Sequence, residues 1–130
     1  MAKTLSDKFF IKPNQHIAMI NAPEGYLKNT LTTLPEMVLV TETLEGTFDQ
    51  IQGFITTRQQ VTELVPMLKD HLKEGGVLWL CYPKGGPKAS VKTDLNRDSL
   101  VAVVSEFGLE PNHQIAIDET WSALRVKALP

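Results

Sequence analysis

The sequence predicts a single α/β domain over residues 1–130, built in three layers on a mostly parallel sheet of about six strands that ends in an antiparallel hairpin. Three observations predict it. Compact apolar runs such as HIAMI, MVLVT and VLWLC have strand length, not helix length. Amphipathic segments alternate with them, which is the pattern of a parallel sheet covered on both faces. The last two runs, Gln114 to Asp118 and Trp121 to Leu129, are separated only by Glu119-Thr120, so they pair as a hairpin.

Phe9, Phe10 and Ile11 form an apolar lead-in, read as a helical turn against the domain's edge and closed by the turn Lys12-Pro13-Asn14. His16 to Ile20 is the first strand. Asn21-Ala22-Pro23-Glu24 fits a helix start, with Asn as cap, Pro in the first turn and Glu three residues on. Leu27, Leu31 and Leu34 follow at helical spacing and Pro35 ends the segment. Met37 to Thr41 and Phe48 to Thr56 are the second and third strands. The stripe Val61, Leu64, Val65, Leu68 and Leu72 marks a helix, with a kink or a late start expected at Pro66. Lys73-Glu74-Gly75-Gly76 reads as a stop and turn before the strand Val77 to Cys81. Leu100, Val104 and Phe107 line a further helix starting near Thr93 or Asp94 and closed by Gly108 in the left-handed region. Thr43 to Thr47 is too short for a crossover helix. Either that crossover is reduced to a loop, or the second strand is an antiparallel edge.

A chain of 130 residues buries a substantial core without staples. Its net charge of -2 argues against general nucleic-acid binding. One cysteine excludes an internal disulfide and a Cys-based zinc site and points to a reducing, cytoplasmic setting. No segment reads as a signal peptide or a membrane span. His16, His71 and His113 lack metal-ligand spacing, so no metal site is expected. Cys81, at the end of an apolar strand, reads as a buried inert thiol.

Phe48 to Ile51, an amphipathic helix and then MLKDHLKEGGVLWL resemble the later half of class I S-adenosylmethionine-dependent methyltransferases, where an LKPGG turn precedes a central strand. Asn21 to Tyr26, Tyr82-Pro83-Lys84, Thr93 to Asp98 and Ala116 to Arg125 resemble a family of small bacterial Rossmann-like proteins of unknown function. The resemblance runs from about His16 to the end of the chain. It implies a reduced methyltransferase-like Rossmann fold, and it brings no established reaction.

In open α/β sheets ligands bind beyond the carboxyl ends of the parallel strands. Three groups of residues fall on that rim. Asn21, Glu24 and Gly25 with Glu42 are where an S-adenosylmethionine site would lie, because an acid about twenty residues after the first turn meets ribose hydroxyls. The turn INAPEGY has one glycine and a proline without an N–H, so weak or absent cofactor binding is expected. Lys84, Lys88, Lys92, Thr93 and Arg97 form a candidate anion site at a helix start. Asp94, Asp98, Asp118, Glu119 and Trp121 form a structural polar cluster, in which Arg97 joins Asp94 to Asp118 or Glu119. No nucleophile elbow is present. The sequence therefore favours a non-catalytic binding module, for a small anionic ligand or a partner protein, without a resident cofactor. The alternative is a divergent S-adenosylmethionine-dependent methyltransferase or other nucleotide-using enzyme. An open pocket between Asn21–Gly25 and Glu42 separates them, because only the enzyme requires one.

Overall fold

The computed structural model describes residues 4–26, 28, 32–84 and 93–128. Its elements run α1 (Leu5–Lys8), β1 (His16–Ile20), β2 (Leu39–Thr41), β3 (Phe48–Phe54), α2 (Arg58–Asp70), β4 (Leu72–Pro83), α3 (Arg97–Glu106), β5 (Leu109–Ala116) and β6 (Trp121–Ala128). The six strands form one sheet in the order β2-β1-β3-β4-β6-β5. The four strands β2, β1, β3 and β4 are parallel, and β6 runs antiparallel to both β4 and β5. This is the methyltransferase-like Rossmann arrangement that the sequence predicts, closing hairpin included.

The open question about the second strand has a definite answer. Thr41 lies level with Ala18 of β1, and Ile17 lies level with Gln50 of β3. The chain must therefore drop back by roughly three residues and pass over β1, a path of about 14 Å at ordinary strand rise and spacing. The segment between Thr41 and Phe48 can extend to about 20 Å, so a loop suffices. The crossover helix is replaced by this loop, and β2 is a parallel edge strand.

The period of two divides the sheet's side chains between two cores. On one face Ala18, Ile51, Leu78, Leu80, Leu124 and Val126 pack against Val61, Val65 and Leu68 of α2 and Leu100 and Val104 of α3. On the other, Ile17, Met19, Trp79, Cys81 and Ala123 meet Phe9, Ile11 and Tyr26. The lead-in is therefore not an edge element. Phe9 is fully buried, with its ring edge-on to Trp79 of the central strand at 5.0 Å. Thr4 and Asp7 cap the single turn of α1 reciprocally, which fixes how the lead-in enters the core.

Helix α2 begins at a capping box formed by Thr57 and Gln60 and continues through Pro66 to Asp70, without the late start expected of a proline. Leu72 belongs to β4 rather than to the helix. The expected turn at Lys73–Gly76 is absorbed into β4 as a bulge, since Phe48 pairs Leu72 whereas Gln50 pairs Val77. Gly75 takes φ +78° there, and a Cβ on Gly76 would lie 2.8 Å from the Lys73 carbonyl oxygen. Helix α3 is capped by Asn96, later than Thr93 or Asp94, and Gly108 follows it at φ +74° as expected. No described helix is long and apolar enough to cross a membrane.

Candidate functional site

The parallel strands end together on one rim, and the segment after β1 shapes it. Asn21 sits at φ +60° and Gly25 at φ +79°, so the chain turns through the left-handed region twice in five residues. A helix N-cap is normally extended, and the capping box expected of Asn21 and Glu24 is not how this turn begins. Its closing bond runs from the Tyr26 N–H to the Pro23 carbonyl at 3.0 Å. Leu27 and Leu31 lie outside the described residues.

Tyr26 turns inward. It is buried, with its ring edge-on to Phe54 at 4.8 Å. Its hydroxyl donates to Gln52 Oε1 at 2.8 Å, Gln52 Nε2 donates to Gln50 Oε1 at 2.8 Å, and Gln50 Nε2 donates to the Phe9 carbonyl at 2.9 Å. Both glutamines are buried in the central strand β3. This relay ties the rim to the lead-in through the sheet's second face. Burial, with Cys81 and Asp118 adding to it, raises the Tyr26 pKa far above its ordinary value. The phenol stays protonated and available as a donor.

The Ala22–Tyr26 turn, Lys28 and Glu42 enclose an open cleft of about 740 Å³. Asn21 faces a second, smaller cleft of about 320 Å³ with Gln60, Glu63, Leu64 and Met67 of α2. Glu24 and Glu42 are both exposed to solvent. Glu24, Gly25 and Glu42 thus line one cleft, whereas Asn21 lines the other.

The other two groups are arranged differently. Thr93 Oγ1 donates to the Thr56 carbonyl at 2.7 Å and accepts from the Leu95 N–H at 2.9 Å, so its polar atoms serve the loop itself. Arg97 Nε donates to Gln114 Oε1 at 2.8 Å, and Gln114 Nε2 donates to the Tyr82 hydroxyl at 3.0 Å. Burial raises the Tyr82 pKa, with the Arg97 charge pulling against it. Lys84 is exposed and its N–H donates to the Thr120 carbonyl at 2.8 Å. Lys88 and Lys92 lie outside the described residues.

The expected joining of Asp94, Arg97 and the hairpin turn is corrected by these bonds. Asp94 Oδ1 accepts from the Arg58 N–H at 2.8 Å, placing a carboxylate at the start of α2, where the helix dipole favours it. Asp118 Oδ1 accepts from the N–H groups of Thr120 and Trp121, both at 2.8 Å, and so closes its own turn. Asp98 is 3.8 Å from Arg97 with its side chain 96% exposed, a loose surface pair. Glu119 is exposed, and Trp121 is half-buried, edge-on to Phe54 at 5.2 Å. Arg97 does tie α3 to the hairpin, through an amide on β5 instead of a carboxylate in the turn.

Sequence reading missed Tyr26, Gln50 and Gln52. The available signal was the pair of glutamines two apart in FDQIQGF, which places two amides on one strand face between Phe48 and Phe54. Among the described residues, no group of three or more His, Cys, Asp or Glu is placed to hold a metal ion.

No family model matches the chain, and no curated protein matches it. Solved structures do. The ribosomal protein L11 methylase from Lactobacillus delbrueckii subsp. bulgaricus superposes with a TM-score of 0.60 at 15% identity, covering 95% of this chain and 74% of that one. A SAM dependent methyltransferase from Aquifex aeolicus gives 0.63 at 11% identity, covering 94% and 86%. Magnesium protoporphyrin IX methyltransferase from Synechocystis, solved with bound SAH, gives 0.61 at 9%, covering 95% and 78%. At such identities the likeness is one of fold.

Proposed function

We propose that the cleft between the Ala22–Tyr26 turn and Glu42 binds S-adenosylmethionine, and that the domain is a divergent methyltransferase. The observation that carries this reading is the open cleft itself, with Glu42 and the left-handed Gly25 both in its lining. The enzyme reading requires an open cleft at this place, whereas a binding module need not keep one. The likeness of fold to methyltransferases, one of them solved with SAH, supports the same reading.

The residues present fit such a ligand. Asn21 does at φ +60° what a glycine does in a glycine-rich turn, so the scarcity of glycine in INAPEGY is less costly than the sequence suggests. Ala22, Glu24 and Gly25 retain backbone N–H groups, whereas Pro23 offers none. Glu42 would accept from the ribose hydroxyls. Lys28 and Glu24, of opposite charge in one lining, would meet the carboxylate and the amino group of the methionine portion. When bound, the cofactor would supply a methyl group on a sulfonium centre. The chain's own part is then to hold it: the Tyr26 relay keeps one wall of the cleft fixed, and transfer depends chiefly on positioning.

Calorimetric titration with S-adenosylmethionine and S-adenosylhomocysteine tests this directly. Saturable binding in the micromolar range is expected, weakened ~10-fold or more in Glu42→Ala. No saturable heat at millimolar ligand, with the chain folded by circular dichroism, would overturn it. So would an unchanged affinity in the variant.

A further inference from the structure

A further cleft, of about 640 Å³, opens at the opposite end of the sheet, away from the rim. The β4 bulge makes one of its walls, for Lys73 to Gly76 have no register partners in the β3 ladder. Its floor is apolar, built from Leu72, Val77, Leu109 and Val126. Its charged lining is one-sided: Lys69, Lys73, Arg125 and Lys127 against Glu74 alone. In a chain of net charge -2, this is a local reversal of sign.

We infer that this cleft is a binding site for a small organic anion, an aromatic or similarly flat apolar body carrying a phosphate-like head. The cations are set in place by different means. Arg125 donates to Asn112 Oδ1 at 2.8 Å, and its guanidinium carbon lies 4.9 Å from the Phe10 ring centroid. Lys69 Nζ donates to the Phe107 carbonyl at 2.8 Å. Lys73 and Lys127 pair with Asp49 at 3.5 Å and Glu110 at 3.4 Å, and the two lysine side chains are 47% and 57% exposed. Exposed pairs of this kind contribute little, so a dianion over the apolar floor displaces them at small cost. Gly76 is held to a residue without Cβ by the Lys73 and Phe48 carbonyls, which keeps the bulge wall in one shape. The site is independent of the rim cleft, and its ligand need not be a cofactor or a substrate.

Phenyl phosphate is the probe, followed by backbone amide shifts of the isotopically labelled full chain. Saturable shifts are expected at Gly75, Gly76 and Lys127, while those of Gly25 and Glu42 stay still. Inorganic phosphate and phenol alone are each expected to bind at least ~5-fold more weakly. Both exposed lysines can be removed without touching the core. Lys73→Ala with Lys127→Ala is therefore expected to weaken binding at least ~5-fold, and Glu110→Gln, which releases Lys127, to strengthen it. Absence of saturation, equal affinity in the double variant, weaker binding in Glu110→Gln, or shifts centred on Gly25 and Glu42 would each overturn the inference. A failure here leaves the S-adenosylmethionine titration untouched, because the two sites report at different amides.

Discussion

Tyr26 donates a single hydrogen bond to an amide chain that has no exposed member. Tyr26, Gln52 and Gln50 are each at most 4% exposed, and each acceptor in the chain has one donor among the described residues. An amide buried in a strand is tolerable only when paired, and its cost appears when the partner is removed. Tyr26→Phe keeps the ring against Phe54 and deletes only the hydroxyl, leaving Gln52 Oε1 buried without its donor. The expected loss is about 1–3 kcal/mol, read as a lower urea midpoint at unchanged slope. An unchanged midpoint would mean that the relay carries no weight and that the rim is held by ring packing alone. At this scale the sequence is legible for chemistry but not for partners. Glu24, Gly25 and Glu42 line one cleft and Asn21 another, yet nothing local said that Asp94 would turn to Arg58, or Arg97 to Gln114. Those choices depend on which loops the sheet brings side by side.

At the scale of elements, the descent of α2 onto the sheet is governed by Gly53. A Cβ at that position would lie 2.6 Å from Leu68 Cδ1, and Leu68 is itself fully buried and cannot swing aside. The missing side chain on β3 is thus what lets the helix sit at its present depth. Gly53→Ala is expected to cost about 1–3 kcal/mol by overpacking. Combined with Leu68→Ala, the loss should be smaller than the sum of the two single losses, because the methyl then enters the vacated space. Strict additivity in a denaturation cycle would show that the helix position is set elsewhere. Element identities were largely readable because apolar period and length carry them, as in His16–Ile20, which has the predicted bounds. The bounds of β4 were not. Lys73-Glu74-Gly75-Gly76 has the composition of a turn, and only pairing with β3 across a bulge makes it strand. The lead-in was misplaced for a similar reason: FFI states that it is apolar, but the cavity over Trp79 that receives Phe9 exists only in the assembled sheet.

Across the whole molecule, the sheet's make-up followed from two rules, parallel strands from alternation and a hairpin from a short connection, whereas the strand order and the direction of β2 did not. What no single segment encoded is the concentration of protonated acids in the centre. Burial raises the pKa of Cys81 well above its ordinary value, and raises those of Tyr26 and Tyr82 as well. All three are neutral when protonated, so the folded chain keeps protons that the unfolded chain gives up. The unfolded state then binds fewer protons, and stability falls as pH rises. The stabilising share is complete below the unfolded values, about 8.5 for the thiol and about 10 for the phenols, and it is lost progressively above them. Each group contributes a slope of up to about 1.4 kcal/mol per pH unit once its unfolded form ionises. Urea midpoints should therefore be level from pH 7 to 8, decline gently above about 8.5, and steepen beyond about 10. Cys81→Ala should remove the first part of the decline and Tyr26→Phe should reduce the second, each measured against its own midpoint at pH 7. Midpoints that stay flat to pH 10.5 would mean that these groups reach solvent in the folded chain, and the buried relay would fall with them.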